Sequence, residues 1–184
     1  TAAIREQVRE KLRWLEQETG RTFGSGPRPL LLSVRSGAAL SMPGMLDTVL
    51  DLGIDDEVEA ALADLHSPEF ARDTRRRFCH MYRRIALNDD NGEVPSDPFA
   101  QLAGAIGAVF SSWNSPRAVA YRRHHGLSEL SGTAVVVQAM VFGNMDTNSG
   151  TGVLFSRNPM TGANEPFGEW LRGGQGEDVV SGTS

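Results

Sequence analysis

The sequence predicts an α+β fold, with helices and strands largely segregated along the chain. Three observations carry this. Residues 3–19 repeat apolar side chains at a helical period. Residues 54–125 hold further helical segments punctuated by capping residues and prolines. After residue 131 the sequence turns β-branched and turn-rich, which reads as an antiparallel β-meander. The expected divisions are 1–53, a helix, strand and loop; 54–130, a helical block; and 131–184, a β-rich part.

The elements follow in order. Ile4, Val8, Leu12 and Leu15 fall on one helical face, and Arg5, Glu6, Arg9, Glu10 and Arg13 on the other. Gly20 is the expected stop. After a connector holding Gly24, Gly26, Pro27 and Pro29, residues 30–34 form a short strand, apolar but for Ser33. It ends at Arg35 and opens into the loop SGAALSMPGMLDT. A strand ending on an arginine before a Gly, Ser and Met loop suits an anion, phosphate being the usual candidate. Gly53 breaks the apolar run 46–52. Asp55 caps a helix expected at 56–65.

Ser67-Pro68 starts another helix, expected to reach residue 87. Phe70, Phe78, Met81, Tyr82 and Ile85 face inward. Its other face carries Arg72, Arg75, Arg76, Arg77, Arg83 and Arg84, either a solvated face paired to acids or an anion or partner surface. Residues 88–98 form a turn-rich loop. A helix over 99–113 buries Leu102, Ile106, Val109, Phe110 and Trp113, and a short basic helix follows to His125. His124 and His125 lack metal-ligand spacing. Strands are expected at 133–142, 151–156 and 167–171, followed by GGQGEDVVSG.

Composition bounds the function. With 184 residues, 40% hydrophobic and 22% charged, the chain can build one core. A net charge of −5 and a pI near 5.4 argue against a general nucleic-acid surface. Lys11 is the only lysine. The arginine bias reflects either bidentate anion recognition or the composition of the source genome. Cys79 is the only cysteine, so no internal disulfide is possible, and a reducing, cytoplasmic setting is expected. No apolar run approaches the ~20 residues of a membrane span, and no membrane partner is expected. The chain opens without Met, directly on a charged helix, and is expected to be a fragment.

Several polar residues of the β part are candidates. Gln138 lies in an apolar strand, either as a solvent-facing amide or as a hydrogen-bonding partner of a flat heterocycle beside Met140 and Val141. Arg157, at a strand end, reads by itself as a surface ion-pair partner. Glu169 and Gln175 offer carboxylate and amide oxygens, which suit Mg²⁺ beside a nucleotide.

The strings SVRSGAALSMPGMLDTVLDLG, FARDTRRRF, SWNSPRAVAYRR, GTAVVVQAMVFGNMDTNSGTGVLFSRNPMTG and GEWLRGGQGEDVVSG, in this order, span nearly the whole chain. They resemble the N-terminal, ATP-grasp nucleotide-binding domain of the pyruvate phosphate dikinase family. Phosphoenolpyruvate synthase and the starch and rifampicin dikinases share parts of these motifs. The resemblance implies a partial ATP-grasp fold, a β-meander with an inserted helical block, that binds Mg-ATP. It also implies transfer of the β-phosphoryl group to a histidine on a separate domain, on the way to phosphoenolpyruvate, with the γ-phosphoryl passing to inorganic phosphate. By that resemblance Arg35 and Arg157 hold phosphates, the loop 37–48 closes over them, Gln138, Met140 and Val141 read adenine, and Glu169 and Gln175 orient Mg²⁺.

The chain departs from the family pattern in three places. The family's Gly-rich segment bearing a phosphate-binding lysine lies before the residues that match Thr1, and Lys11 is not in that motif. A longer helical insertion stands where this chain has residues 88–98. The family motif runs on past GEDVV into an Arg-Thr-Pro segment. The implied partners, a phosphohistidine domain and a pyruvate/phosphoenolpyruvate domain, are not in these 184 residues. The expectation is therefore no turnover by this chain alone, and some self-association through apolar surface left uncovered. The alternative is a non-catalytic ATP-grasp remnant acting as a binding module.

Overall fold

The computed structural model describes residues 2–40, 42–127 and 132–181. It is mixed helix and sheet, as expected. The described chain separates into two compact units, one up to Met140 and one from Val141 onward. The expected boundary at 130/131 lies outside the described residues.

In the first unit, helix α1 (Ala2–Thr19) ends at Gly20, whose φ is +62° and whose N–H donates to Glu16 O at 2.8 Å. Two short strands, β1 (Thr22–Phe23) and β2 (Pro29–Leu30), pair in parallel. The main sheet has the order β4-β3-β5, antiparallel throughout, from β3 (Leu32–Gly37), β4 (Thr48–Leu52) and β5 (Ala134–Ala139). Leu32, Val34, Val49 and Leu52 are all buried. Val49 and Leu52 lie three residues apart yet pair with Val34 and Leu32, because a register shift in β4 inserts an extra residue. Buried Asp51, with φ +61°, sits in that bulge.

The helical block is α2 (Asp56–Leu65), α3 (Pro68–Tyr82), α4 (Pro98–Ser112) and α5 (Pro116–His124). Each start is a side-chain cap. Asp55 accepts from Val58 N, Ser67 from Phe70 N, Asp97 from Ala100 N and Ser115 from Ala118 N. Three of these caps are followed by proline in the first turn, where the missing N–H has no intrahelical partner to lose. Ser115-Pro116, which reads as a helix end, thus starts α5. The helix expected to run to residue 87 changes at Arg83 into a π-helical turn, Arg83–Leu87, and stops at Asn88 with φ +50°.

Helices α3 and α4 pack on the sheet through Phe78, Tyr82, Leu102, Ala105 and Val109, all buried. The packing leaves no slack at Gly104, where an added Cβ would lie 2.1 Å from the Tyr82 hydroxyl. Gln101, on the buried face of α4, is a polar latch. Its Oε1 accepts from Gly53 N at 2.8 Å, and its Nε2 donates to Ile54 O at 3.1 Å and Pro95 O at 2.8 Å. One amide thus satisfies both ends of the turn after β4 and the loop before α4.

Two expectations need correction. The three C-terminal strands do not form one meander. β5 pairs with β3, whereas β6 (Gly150–Phe155) pairs only with β7 (Phe167–Arg172) in a separate two-stranded ribbon. Alternation makes a segment a strand but does not name its neighbour, and the buried row of β3 completes itself with Val137 of β5. The apolar face of α1 is also only partly used. Leu12 is buried, but Ile4 is 58% exposed, and apolar grooves of about 460 and 480 Å³ run beside α1 toward α4 and β5.

Four of the arginines on α3 and its extension are tied within the chain. Arg75 pairs with Asp56 and Glu59, Arg76 and Arg77 with Asp73, and Arg83 donates to Gly92 O. This is the solvated, self-paired reading of the cluster. Partial burial raises the Asp73 carboxyl, but the hydrogen bonds and charges of Arg76 and Arg77 outweigh that and hold it below 3.8. No helix among the described residues is long and apolar enough to cross a membrane.

Gln101→Met should lower stability by about 1–3 kcal/mol in urea titration, because it leaves the Gly53 N–H and two buried carbonyls unpaired. Asp73→Asn should destabilise only above the ordinary carboxylate range. The native carboxyl titrates below its unfolded value of 3.8, so its contribution is present above that value and is lost as pH falls through the depressed native one. Stability curves of the two proteins should converge on acidification.

Candidate nucleotide site

Strand β3 lies between β4 and β5, so Arg35 stands in a row with Thr48 on one side and Val136 on the other. Two residues back, Ser33 faces Gln138, and the Ser33 hydroxyl donates to Gln138 O at 3.4 Å. Alternation puts Ser33, Arg35, Val136 and Gln138 on one face and Val34, Val49 and Val137 on the other. The second face is turned to the helices. On the first, Arg35, Val136 and Gln138 are all exposed. Arg35 and Gln138 are diagonal neighbours, a relation that spaces Cβ atoms ~7–8 Å apart. This face therefore presents one cation and one amide across an apolar floor of valine.

Met140 extends the ladder, its N–H donating to Leu31 O at 2.9 Å. That donor serves the sheet and is not free for a heterocycle. Val141, the first residue of the second unit, is 92% exposed. In the loop after β3, Met42-Pro43-Gly44-Met45 makes a turn closed by Met45 N to Met42 O at 3.1 Å, with Gly44 at φ +70°. Proline then glycine at the central positions is the type II signature.

The second unit carries the other three candidates. Glu169 is exposed on β7, opposite Val153. Arg157 is also exposed and folds back on its own hairpin loop, donating to Gly162 O at 2.9 Å. Gln175 differs from both. It is 3% exposed, and its side-chain Oε1 and Nε2 are buried without a hydrogen-bond partner among the described residues. Its backbone N–H donates to Asp178 Oδ2 at 2.8 Å, just ahead of the short helix α6 (Gly176–Ser181). A buried amide with both ends unsatisfied is rare and calls for a partner. Its carbonyl oxygen fits the hard-oxygen chemistry of Mg²⁺. Among the described residues no group of three or more His, Cys, Asp or Glu could hold a metal, so an ion here would rest on few protein ligands.

The structure thus brings Arg35 and Gln138 onto one face in the first unit and keeps Arg157, Glu169 and Gln175 in the second. Sequence reasoning missed three features around the site. These are the bulge at Asp51, the Gln101 latch, and the packing of Arg122 on Trp113, whose guanidinium carbon lies 4.1 Å from the ring centroid. The Ser115-Pro116 pair was the one available signal for that corner, because it starts the helix that carries Arg122.

Comparison with known proteins places the sequence in a family. The family described as "Pyruvate phosphate dikinase, AMP/ATP-binding domain" matches residues 1–184. Pyruvate, phosphate dikinase of Rhizobium meliloti is 47% identical over 97% of this chain, and the chloroplastic pyruvate, phosphate dikinase 1 of Oryza sativa is 45% identical over 98%. That of Zea mays is 44% identical over 98%. The chain spans about a quarter of the length of these relatives, 25% of the first and 24% of the other two. The alignment to the Rhizobium protein extends over 223 residues while covering 97% of this 184-residue chain, so that relative carries residues with no counterpart here. The chain belongs to the AMP/ATP-binding domain family of pyruvate phosphate dikinase.

Proposed function

We propose that this chain is the ATP-binding portion of a phosphotransferase of the pyruvate, phosphate dikinase type, built on part of an ATP-grasp fold. The observation that carries the reading is the exposed sheet face, where Arg35 and Gln138 stand as diagonal neighbours over Val136. A nucleotide needs a cation for its phosphates and a hydrogen-bonding, partly apolar platform for its base, and this face offers both kinds of group. Family membership supports the same assignment.

In this reading Arg35 holds phosphate oxygens, and the guanidinium is suited to that by its planar fork of donors. Gln138 reads the adenine edge, with the strand end at Met140 and Val141 beside it. Arg157 is a second phosphate ligand. Glu169 and Gln175 supply oxygens to Mg²⁺, which when bound neutralises triphosphate charge. The reaction is transfer of the β-phosphoryl group of ATP to a histidine on a separate domain, with the γ-phosphoryl going to inorganic phosphate. The protein's work is positioning and charge neutralisation. In this reading the carrier and a pyruvate/phosphoenolpyruvate domain lie outside these 184 residues, in a longer enzyme of which this chain covers about a quarter of the relatives' length. The chain alone is therefore inactive in the overall reaction.

Calorimetric titration with Mg-ATP tests the site. Arg35→Ala should weaken binding by about 10–100-fold, the loss of a charged hydrogen bond, and Gln138→Ala by about 2–10-fold. Absence of heat at millimolar Mg-ATP would favour the non-catalytic binding module. Incubation of the chain alone with Mg-ATP, pyruvate and phosphate should yield no phosphoenolpyruvate, and measurable turnover would refute the inactivity claim.

A further inference from the structure

The loop between β3 and β4, residues 38–47, has no helix or strand among its described residues. Ordering such a segment costs conformational entropy at each residue, so contacts have to hold it. Its anchor lies at the corner between α4 and α5. Met42 is buried with Trp113 and Ala118, and Ala38, Met45, Leu46 and Tyr121 pack around them. The Asp47 N–H donates to Ser112 Oγ at 3.1 Å. Arg117 donates through Nε to Met45 O at 3.1 Å and pairs with the Asp47 carboxylate. Behind this contact, Arg122 is 8% exposed, stacks on the Trp113 ring, and donates to the Trp113 carbonyl. Trp113 is the C-cap of α4, so the guanidinium also satisfies a helix-end carbonyl with a charge of the favourable sign.

We propose that Arg117 and Arg122 are positioning residues that hold the loop beside Arg35. Arg122 fixes the Trp113 indole as the platform on which the methionines sit. Arg117 ties down the loop's exit at Met45 and Asp47. Neither is a phosphate ligand in this scheme, although both are arginines of a family that binds a polyanion. The proposal rests on the assignment of Arg35 to phosphate binding only for its consequence on affinity. The anchoring itself stands on the contacts of Met42, Met45 and Asp47 with Trp113, Ser112 and Arg117.

Amide hydrogen exchange of this chain separates the two. The reporters are the N–H groups of Met45 and Asp47, compared with the ladder amides of β3 and β5. Arg117→Ala, a substitution at a half-exposed side chain, should speed exchange at both reporters about tenfold or more while the ladder stays protected. Arg122→Met should do the same, and Arg122→Lys should restore only part of the protection, since it lacks the planar stack and fork. Unchanged exchange at Met45 and Asp47 in Arg117→Ala would overturn the proposal even if Arg122→Met fails to fold. Loosening of ladder and loop together in Arg117→Ala would also overturn it, because that marks a general loss of stability. With Mg-ATP as probe, Arg117→Ala should weaken binding about tenfold. Arg35→Ala should weaken it without altering loop exchange. If Arg35→Ala has no effect on binding, the nucleotide assignment fails, and the exchange data still decide the anchoring.

Discussion

The pairing of β3 with β5 is the constraint on which the first unit depends. Ser33 and Gln138 are 105 residues apart in sequence and face each other in the sheet. Closing so long a loop is costly, and the return comes from an apolar face shared by three strands, buried in β3 and β4 and half-buried in β5. Once that face is set, period-two alternation leaves no choice for the other. Arg35 and Gln138 must emerge together on the solvent side. The candidate site is thus a by-product of core burial, with its register enforced by the same residues that exclude water behind it.

The helical block supports this sheet in two different ways. Its apolar stripes supply most of the covering layer, through Phe78, Tyr82, Leu102 and Val109. Its polar insertions supply precision. Gln101 stitches the turn at Gly53 and Ile54 to the loop at Pro95, which fixes where β4 ends. Buried amides of this kind are costly unless both ends are satisfied, and here Oε1 and Nε2 both are. The Trp113 and Arg122 pair does similar work at the other end of α4, where a bare helix terminus would otherwise leave a carbonyl unmet.

The second unit is built differently. Its ribbon has two strands and exposes large side chains on one face, Leu154 at 78% and Trp170 at 75%. These sit over Gly150, Gly152 and Gly168, where a Cβ would crowd the partner strand; at Gly152 it would lie 2.8 Å from Glu169 O. A two-stranded ribbon is marginal by itself, and its apolar face is a surface suited to further burial. Gln175 carries the same message on the polar side, as a buried amide whose side chain finds no hydrogen-bond partner among the described residues.

Much of the fold was legible because the signals were local. The cap at Asp55, the Ser67-Pro68 pair and the stop at Gly20 each act within a few residues, and all appear in the structure, whereas Ile4 and Phe110 of the expected apolar stripes stay exposed. Arg35 stood out as a lone cation at the end of an apolar strand. Arg122 did not, since in Tyr121-Arg122-Arg123 nothing local distinguishes the buried arginine from its exposed neighbour. The bulge at Asp51 was equally silent, because it answers to a register across the sheet. By itself the sequence determined the elements, the α+β class and the family. Tertiary structure alone decided which strand pairs with which, which arginine is buried and which polar side chains share a face, because those outcomes depend on burial between segments that no local pattern brings together.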